Sequence, residues 1–132
     1  MKIMTNLNTN LNKQPTMHNY KNLRIWHDAM DLVTEIHTIT VHFPEYERFG
    51  LTSQIRRAVS SIPTNIAEGT SRISQKEFKY FLSIALGSSF EVSTQIEIAY
   101  RLKMISEEKR NELLTMNDLL QRKIQSFSKQ IR

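Results

Sequence analysis

Apolar side chains recur at three- and four-residue intervals between residues 51 and 69, which is the spacing of one face of an α-helix. A polar row runs beside them at the same spacing: Gln54, Arg57, Ser61, Asn65 and Glu68. Pro63 lies inside this pattern, where proline removes a backbone donor and clashes with the carbonyl four residues earlier. We therefore predict a second helix that is kinked, or split in two, at Pro63 and that ends at Gly69 as its cap.

Three further segments show the same helical spacing, at about residues 22–42, 74–103 and from 106 onward. Ser74 and Glu77 form a capping box, and Ser106 is a good N-cap before the last segment. Pro44 should stop the first helix. No segment alternates like a strand, and the connections are short. These features predict an all-α fold, an antiparallel up-down four-helix bundle over residues 20–132.

Composition narrows the class of protein. A length of 132 residues suits one domain, and the chain has no cysteine, which excludes disulfides and thiolate metal sites. No apolar run approaches the ~20 residues of a membrane span, and the N-terminus lacks the apolar core of a secretory signal. Residues 1–19 are rich in Asn and Thr and predict a disordered tail. We expect a cytoplasmic protein without a membrane contact.

The positive net charge is unevenly distributed. The first 22 residues contain Lys2, Lys13 and Lys21 and no acid, whereas the rest has 15 basic and 13 acidic side chains, a surplus of two. The basic pI is therefore weak evidence for nucleic-acid binding. After Asp118 the chain has four cations and no acid, which suits the negative end of a helix dipole at least as well as RNA contact.

Two features predict self-association. The first and third helices have apolar faces wider than contact with two neighbours requires. Gly87 and Ser88 lie in the middle of the third helix, where the glycine costs about 1 kcal/mol relative to alanine. Such small residues favour a close helix contact. We predict a homo-oligomer that uses Gly87 and Ser88 as this contact.

Catalytic and metal-binding patterns are weak. His27, Asp31 and Glu35 share a helix face, but no second helix offers a ligand pair, so a solvated face is the better interpretation. Glu68 and Glu97 could form a carboxylate pair only if the fold brought them together. No phosphate loop, dinucleotide motif or nucleophile elbow is present. We expect no enzyme activity, no metal and no cofactor.

The polar row of the second helix allows two interpretations. Arg57, Asn65 and Glu68 could form a partly buried structural network at a helix or subunit contact, which we favour for Asn65 and Glu68. Alternatively, Arg56 and Arg57 could contact phosphate, since the guanidinium fork suits phosphate and carboxylate oxygens equally. For the arginine pair both interpretations stay open.

Basic residues near the helix ends are the candidates for nucleic-acid binding. They are Arg56, Arg57, Arg72, Lys76, Lys79, Arg101 and Lys103. The spacing of Arg72, Lys76 and Lys79 predicts one shared face of the third helix. The aromatic residues mostly lie on apolar rows, so the sequence does not indicate a stacking platform for single strands.

Three blocks of sequence resemble a known family. They read LRIWHDAMDLVTEIH, FPEYERFGLTSQIRRAVSSIPTNIAEGTSR and FLSIALGSSFEVSTQIEIA, in that order. They resemble the small bacterial four-helix-bundle proteins encoded by intervening sequences in large-subunit ribosomal RNA genes. The resemblance implies a four-helix bundle in a homopentameric ring. It extends distantly to the accessory subunit of diversity-generating retroelements, which binds a reverse transcriptase and nucleic acid.

Two functions follow as expectations. The first is a non-catalytic oligomeric scaffold that binds RNA, or DNA, through basic patches and phosphate contacts without reading bases. The alternative is an adaptor whose ring binds a partner protein. Binding to RNA that weakens with salt would favour the scaffold, and one co-purifying protein partner without RNA would favour the adaptor.

Overall fold

The computed structural model describes residues 19–131, which form four α-helices and no strand. The helices are α1 (Arg24–Thr40), α2 (Leu51–Thr70), α3 (Gln75–Arg101) and α4 (Glu107–Gln130). Short 3-10 turns span Tyr20–Asn22 and Glu45–Glu47. The predicted all-α fold is confirmed. Residues 1–18 of the predicted tail lie outside the described residues, as does Arg132.

The helix starts use the predicted caps. Ser74 Oγ accepts a hydrogen bond from the Glu77 backbone N–H at 3.1 Å, and Ser106 Oγ accepts one from Lys109 N–H at 3.1 Å. Each bond satisfies a backbone donor that the first helical turn leaves without a partner. The start of α2 has no capping side chain of its own. There Glu47 Oε1 accepts from Leu51 N–H at 2.9 Å instead.

Helix α2 continues through Pro63, so the predicted split is wrong. Ile62 and Ile66, on either side of the proline, are fully buried, and this packing on both sides holds the helix together. Gly69 is not a left-handed cap, because it lies inside the helix and its φ is not positive. A Cβ at Gly69 would lie 2.7 Å from Phe78 Cδ1, so this glycine allows α3 to approach closely.

A residue in the left-handed region follows the end of helix α3. Lys103 has a φ of 62°, which costs a side-chain-bearing residue about 1 kcal/mol. Its backbone N–H donates to Tyr100 O at 2.9 Å, and Met104 N–H donates to Ala99 O at 2.8 Å. This pair of bonds is a Schellman motif, which satisfies the last carbonyls of α3. Lys103 is therefore the turning point between α3 and α4.

The core lies between the four helices and is mainly aliphatic. Its largest side chains with less than 2% exposure are Phe78, Leu32, Ile36, Ile55, Ile62, Ile66, Leu82, Ile96, Leu113, Ile124, Val59 and Val92. Buried polar side chains interrupt it, and Asn117 and Ser89 are the two that are fully buried. Asn117 is fully buried, and it donates to Ser89 O and to Ser93 Oγ at 2.8 Å while its Oδ1 accepts from Ser89 Oγ at 2.6 Å. These bonds join α3 to α4.

Contacts between helices fix which ends lie together. At the end of α1 and the start of α2, Arg56 Nε donates to Thr40 Oγ1 at 2.8 Å. The start of α3 meets the end of α4, where the Phe78 and Phe127 ring centroids lie 5.8 Å apart. The end of α3 meets the start of α4 through Glu97 and Arg110. No helix in the described chain is both long enough and apolar enough to cross a membrane.

Candidate nucleic-acid interface

Cations from four separate parts of the chain gather at one end of the fold. Lys79 Nζ donates to Ile131 O at 3.2 Å, which places the start of α3 beside the end of α4. Tyr20 and Ser71 line one shallow cleft, which places the start of α1 beside the connection between α2 and α3. We call this the basic end and define it by Lys21, Arg24, Arg72, Lys76, Lys79 and Lys129.

Several of these cations have no acidic partner. Arg24, Lys76 and Lys129 are exposed, and none of them forms a hydrogen bond or ion pair through its side chain within residues 19–131. Arg72 is different, because it hydrogen-bonds to Glu68 and its guanidinium lies 4.7 Å from the Phe81 ring centroid. The unpaired cations leave this surface with positive charge that an anion could neutralise.

Lys76 occupies a position that does not favour the helix. It lies in the first turn of α3, and Lys79 lies in the next. The N-terminus of a helix carries partial positive charge, so a cation there is unfavourable by a few tenths of a kcal/mol up to about 1 kcal/mol. Helix stability therefore does not explain Lys76.

Arg72 does not share a helical face with Lys76 and Lys79, contrary to the prediction. Helix α3 begins at Gln75, so Arg72 lies in the connection before it and is outside the helical spacing. Arg72 reaches the same end of the fold through its contacts with Glu68 and Phe81.

The other four predicted residues lie at the opposite end. Arg56 and Arg57 are near the start of α2, while Arg101 and Lys103 are at the end of α3. At 1.5 Å per residue, α2 is about 30 Å long and α3 about 40 Å long, so the seven residues cannot form one patch on a subunit. We call this second surface the distal end.

Acidic side chains compensate much of the charge at the distal end. Glu97 lies 3.1 Å from Arg101 and 3.1 Å from Arg110. Hydrogen bonds from Arg101 and then from Arg110 hold the pKa of Glu97 below its usual value. An open acidic cleft lies nearby, lined by Glu35, Glu107, Glu108 and Glu112 among others. The distal end is therefore a weaker surface for a polyanion than the basic end.

The Arg56 side chain has a structural contact. Its Nε bond to Thr40 Oγ1 joins α1 and α2, and the side chain is half-buried. The pKa of His37 is lowered, first by burial and second by the nearby Arg56 charge. Arg57 is exposed, and no residue of the described range 19–131 pairs with its side chain. Arg56 thus fits the structural interpretation, and Arg57 keeps its guanidinium available.

The predicted network of Arg57, Asn65 and Glu68 does not form within the subunit. Asn65 Nδ2 donates to the Ser61 carbonyl oxygen at 2.8 Å, and Glu68 pairs with Arg72. Asn65 and Glu68 thus bond to different neighbours, and Arg57 pairs with no residue in the range 19–131. The row instead joins α2 to α3, because the hydroxyls of Ser61 and Ser88 lie 2.5 Å apart.

Gly87 makes no close contact inside the subunit. It is exposed, and a Cβ built there meets no atom within 4 Å. The predicted close contact at Gly87 could therefore arise only against another molecule. The glycine that does allow helices to approach is Gly69, which the sequence spacing assigned to a cap.

The structure separates the side chains considered for metal binding and catalysis. His27 Nε2 donates to the Lys21 carbonyl at 2.7 Å, and within residues 19–131 no group of three His, Asp or Glu side chains could hold a metal ion. Glu68 is near the end of α2 and Glu97 is near the end of α3, so the two carboxylates lie at opposite ends.

Sequence spacing missed three members of the basic end. Lys21 and Arg24 are not among the seven predicted residues, and Lys129 is one of the four cations after Asp118 that suit a helix dipole at least as well as RNA contact. They share a position in the chain: each lies near a helix end that the observed contacts place at the same end of the fold as the start of α3.

Comparison with known proteins adds a family and a fold. A sequence model of the family described as 23S rRNA-intervening sequence protein matches residues 21–126. The chain is also similar to the crystal structure of a protein of unknown function from the S23 ribosomal protein family of Bacteroides thetaiotaomicron. The two are 23% identical with a TM-score of 0.73, over 80% of this chain and 98% of that one, which shows a shared fold. No curated protein matches the chain.

Proposed function

The chain belongs to the family of 23S rRNA-intervening sequence proteins, and we propose that it is a non-catalytic scaffold that binds nucleic acid, preferably RNA, through its basic end. The observation that carries this proposal is the group of unpaired cations Arg24, Lys76 and Lys129 at one end of the fold. Phosphate contacts of this kind give affinity without reading bases. Such a scaffold would act in the cytoplasm.

The unfavourable placement of Lys76 supports the proposal. A cation in the first turn of α3 weakens the helix, so its removal should leave the fold at least as stable while it weakens phosphate binding. Folding and binding can therefore be separated at this residue. Lys129 offers a second such site, since its side chain is exposed and forms no hydrogen bond or ion pair within residues 19–131.

We expect Lys76→Gln with Lys129→Gln to weaken RNA binding about tenfold or more near 0.1 M salt, because two phosphate contacts are lost. The matched control is Arg57→Gln with Lys103→Gln, which removes the same charge from the distal end. It should retain near-normal affinity. Fluorescence anisotropy with a labelled structured RNA measures both. Equal loss in the two double variants would reject the basic end as the binding surface.

We further propose that the subunits are antiparallel up-down bundles, with a kink at Pro63, and that they assemble into a ring, with five subunits implied by the resemblance. Exposed apolar surface on α3 supports assembly. Gly87, Phe90 and Ile98 share an outward face, where Phe90 is 52% and Ile98 40% exposed. Burial of this face between copies would remove apolar surface from water.

We expect Gly87→Leu to abolish assembly while it leaves the subunit folded. The space around Gly87 is open within the subunit, so leucine fits there and improves helix propensity by about 1 kcal/mol. A neighbouring copy that packs against the glycine would be displaced by the larger side chain. Light scattering would show a smaller mass with unchanged helicity. An unchanged mass would place the contact elsewhere, and a monomeric wild type would reject the ring.

An adaptor is the second candidate function, and one observation favours it. The connection between α1 and α2 exposes two aromatic rings, Tyr46 at 81% and Phe49 at 88%, at the distal end. Exposed aromatic side chains commonly anchor protein interfaces. If the adaptor proposal is right, one stoichiometric partner should co-purify with the wild type without RNA and be lost in Phe49→Ser. Retention of that partner by Phe49→Ser would exclude this surface.

A further inference from the structure

An exposed aromatic ring lies among the cations of the basic end. Tyr80 is on α3, one turn after Lys76 and next to Lys79, and 61% of its surface is exposed. The Tyr80 hydroxyl forms no hydrogen bond with another residue in the range 19–131. Neither core packing nor a polar contact within the subunit therefore explains this side chain.

The Tyr80 ring is supported from one side. Its centroid lies 5.4 Å from that of Phe81, and the two planes are inclined by 79°, an edge-to-face contact. Phe81 is itself covered by the Arg72 guanidinium at 4.7 Å. Arg72 therefore lies against Phe81, and Phe81 lies against Tyr80, while most of the Tyr80 surface stays in solvent.

We propose that an unpaired base of a single-stranded or looped RNA segment stacks on Tyr80 while Lys76 and Lys79 contact the adjoining phosphates. This inference rests on the proposed RNA-binding function and adds the class of ligand. Stacking accepts any base, because every base has a π-face, so it agrees with binding that does not read sequence. A base in a continuous duplex is already stacked and cannot reach the ring.

Charge decides in favour of RNA over a purely apolar partner. Lys76 and Lys79 are neighbours of Tyr80 on α3, and Arg72 lies against Phe81. A nucleic-acid strand brings a base and a phosphate together at each nucleotide. A second copy of the chain could instead offer its acidic cleft at Glu107 and Glu108. If a second copy occupies this surface, substitution of Tyr80 should change the mass of the protein in light scattering.

The test compares two labelled RNAs of equal phosphate number, an unstructured single strand and a perfect duplex, by fluorescence anisotropy at fixed salt. Tyr80→Ala should weaken binding of the single strand about 5- to 100-fold and change binding of the duplex little. Tyr80→Phe, which keeps the ring, should bind like the wild type. The matched control is Tyr46→Ala, which removes an exposed tyrosine from the distal end and should have no effect.

Three outcomes would overturn the stacking site. The first is unchanged single-strand binding in Tyr80→Ala, and the second is equal loss of affinity for both RNAs. The third is a change of mass in light scattering, which would assign the Tyr80 side chain to a contact between copies. The variant Lys76→Gln with Lys129→Gln separates this failure from that of the proposed function. If it loses affinity while Tyr80→Ala does not, only the stacking site fails. If neither variant loses affinity, the basic end does not bind RNA.

Discussion

We expect Gly69→Ala to lower the free energy of unfolding by up to about 2 kcal/mol, although alanine is the better helix former. A Cβ at residue 69 would lie 2.7 Å from Phe78 Cδ1 and 3.1 Å from Phe81 Cβ. Phe78 is fully buried and cannot move aside without disturbing the core. The cost of overpacking, about 1–3 kcal/mol, exceeds the gain of about 1 kcal/mol in helix propensity.

Gly87→Ala is the matched control for this prediction. The substitution is chemically identical and also lies inside a helix, but an added Cβ meets no atom within 4 Å. It should raise the free energy of unfolding by about 0.5–1 kcal/mol. Urea unfolding followed by circular dichroism, at one protein concentration, measures both. If Gly69→Ala were as stable as Gly87→Ala, the close approach of α2 and α3 at Gly69 would be disproved.

A second large effect is expected at the buried polar group of the core. Asn117→Ala should lower the free energy of unfolding by about 2–4 kcal/mol, because it leaves a cavity and removes the partners of the buried Ser89 hydroxyl and of Ser93. The change in the urea midpoint at constant m-value measures this loss.

Asn111→Ala is the control on the same helix. Asn111 is exposed, so its replacement should change the free energy of unfolding by no more than about 0.5 kcal/mol. Asn117→Leu with Ser89→Ala removes both partners of the shortest bond and should recover much of the loss. A loss in Asn117→Ala no greater than that in Asn111→Ala would show that these hydrogen bonds add little to stability.

Local signals predicted the helices well. Ser74 and Ser106 accept the backbone bonds that their positions indicated, because capping depends on residues three apart in the chain. Pro63 shows the limit of such reasoning. A proline disfavours a helix interior, yet burial of Ile62 and Ile66 keeps α2 continuous.

Features that arise from contacts between residues far apart in the chain were missed in the sequence or assigned to the wrong residue. The sequence pattern assigned Gly69 to a cap and Gly87 to a close contact, and the position of Phe78 against α2 shows that Gly69 lies in the close contact within the subunit. Lys21 and Lys129 are far apart in the chain and gather beside α3 only because of the helix arrangement. Tyr80 lies off the apolar row, next to Lys79 and one turn after Lys76, and it is its 61% exposure that the sequence does not show.

The most direct test of the basic end as a phosphate-binding surface is the salt dependence of wild-type binding to RNA. The apparent association constant should be measured by anisotropy from about 50 to 300 mM salt. If each of the six cations of the basic end contacts one phosphate of a single strand, the slope of log K against log salt should be about −4. Absence of binding at the lowest salt, or a slope near zero, would contradict the account.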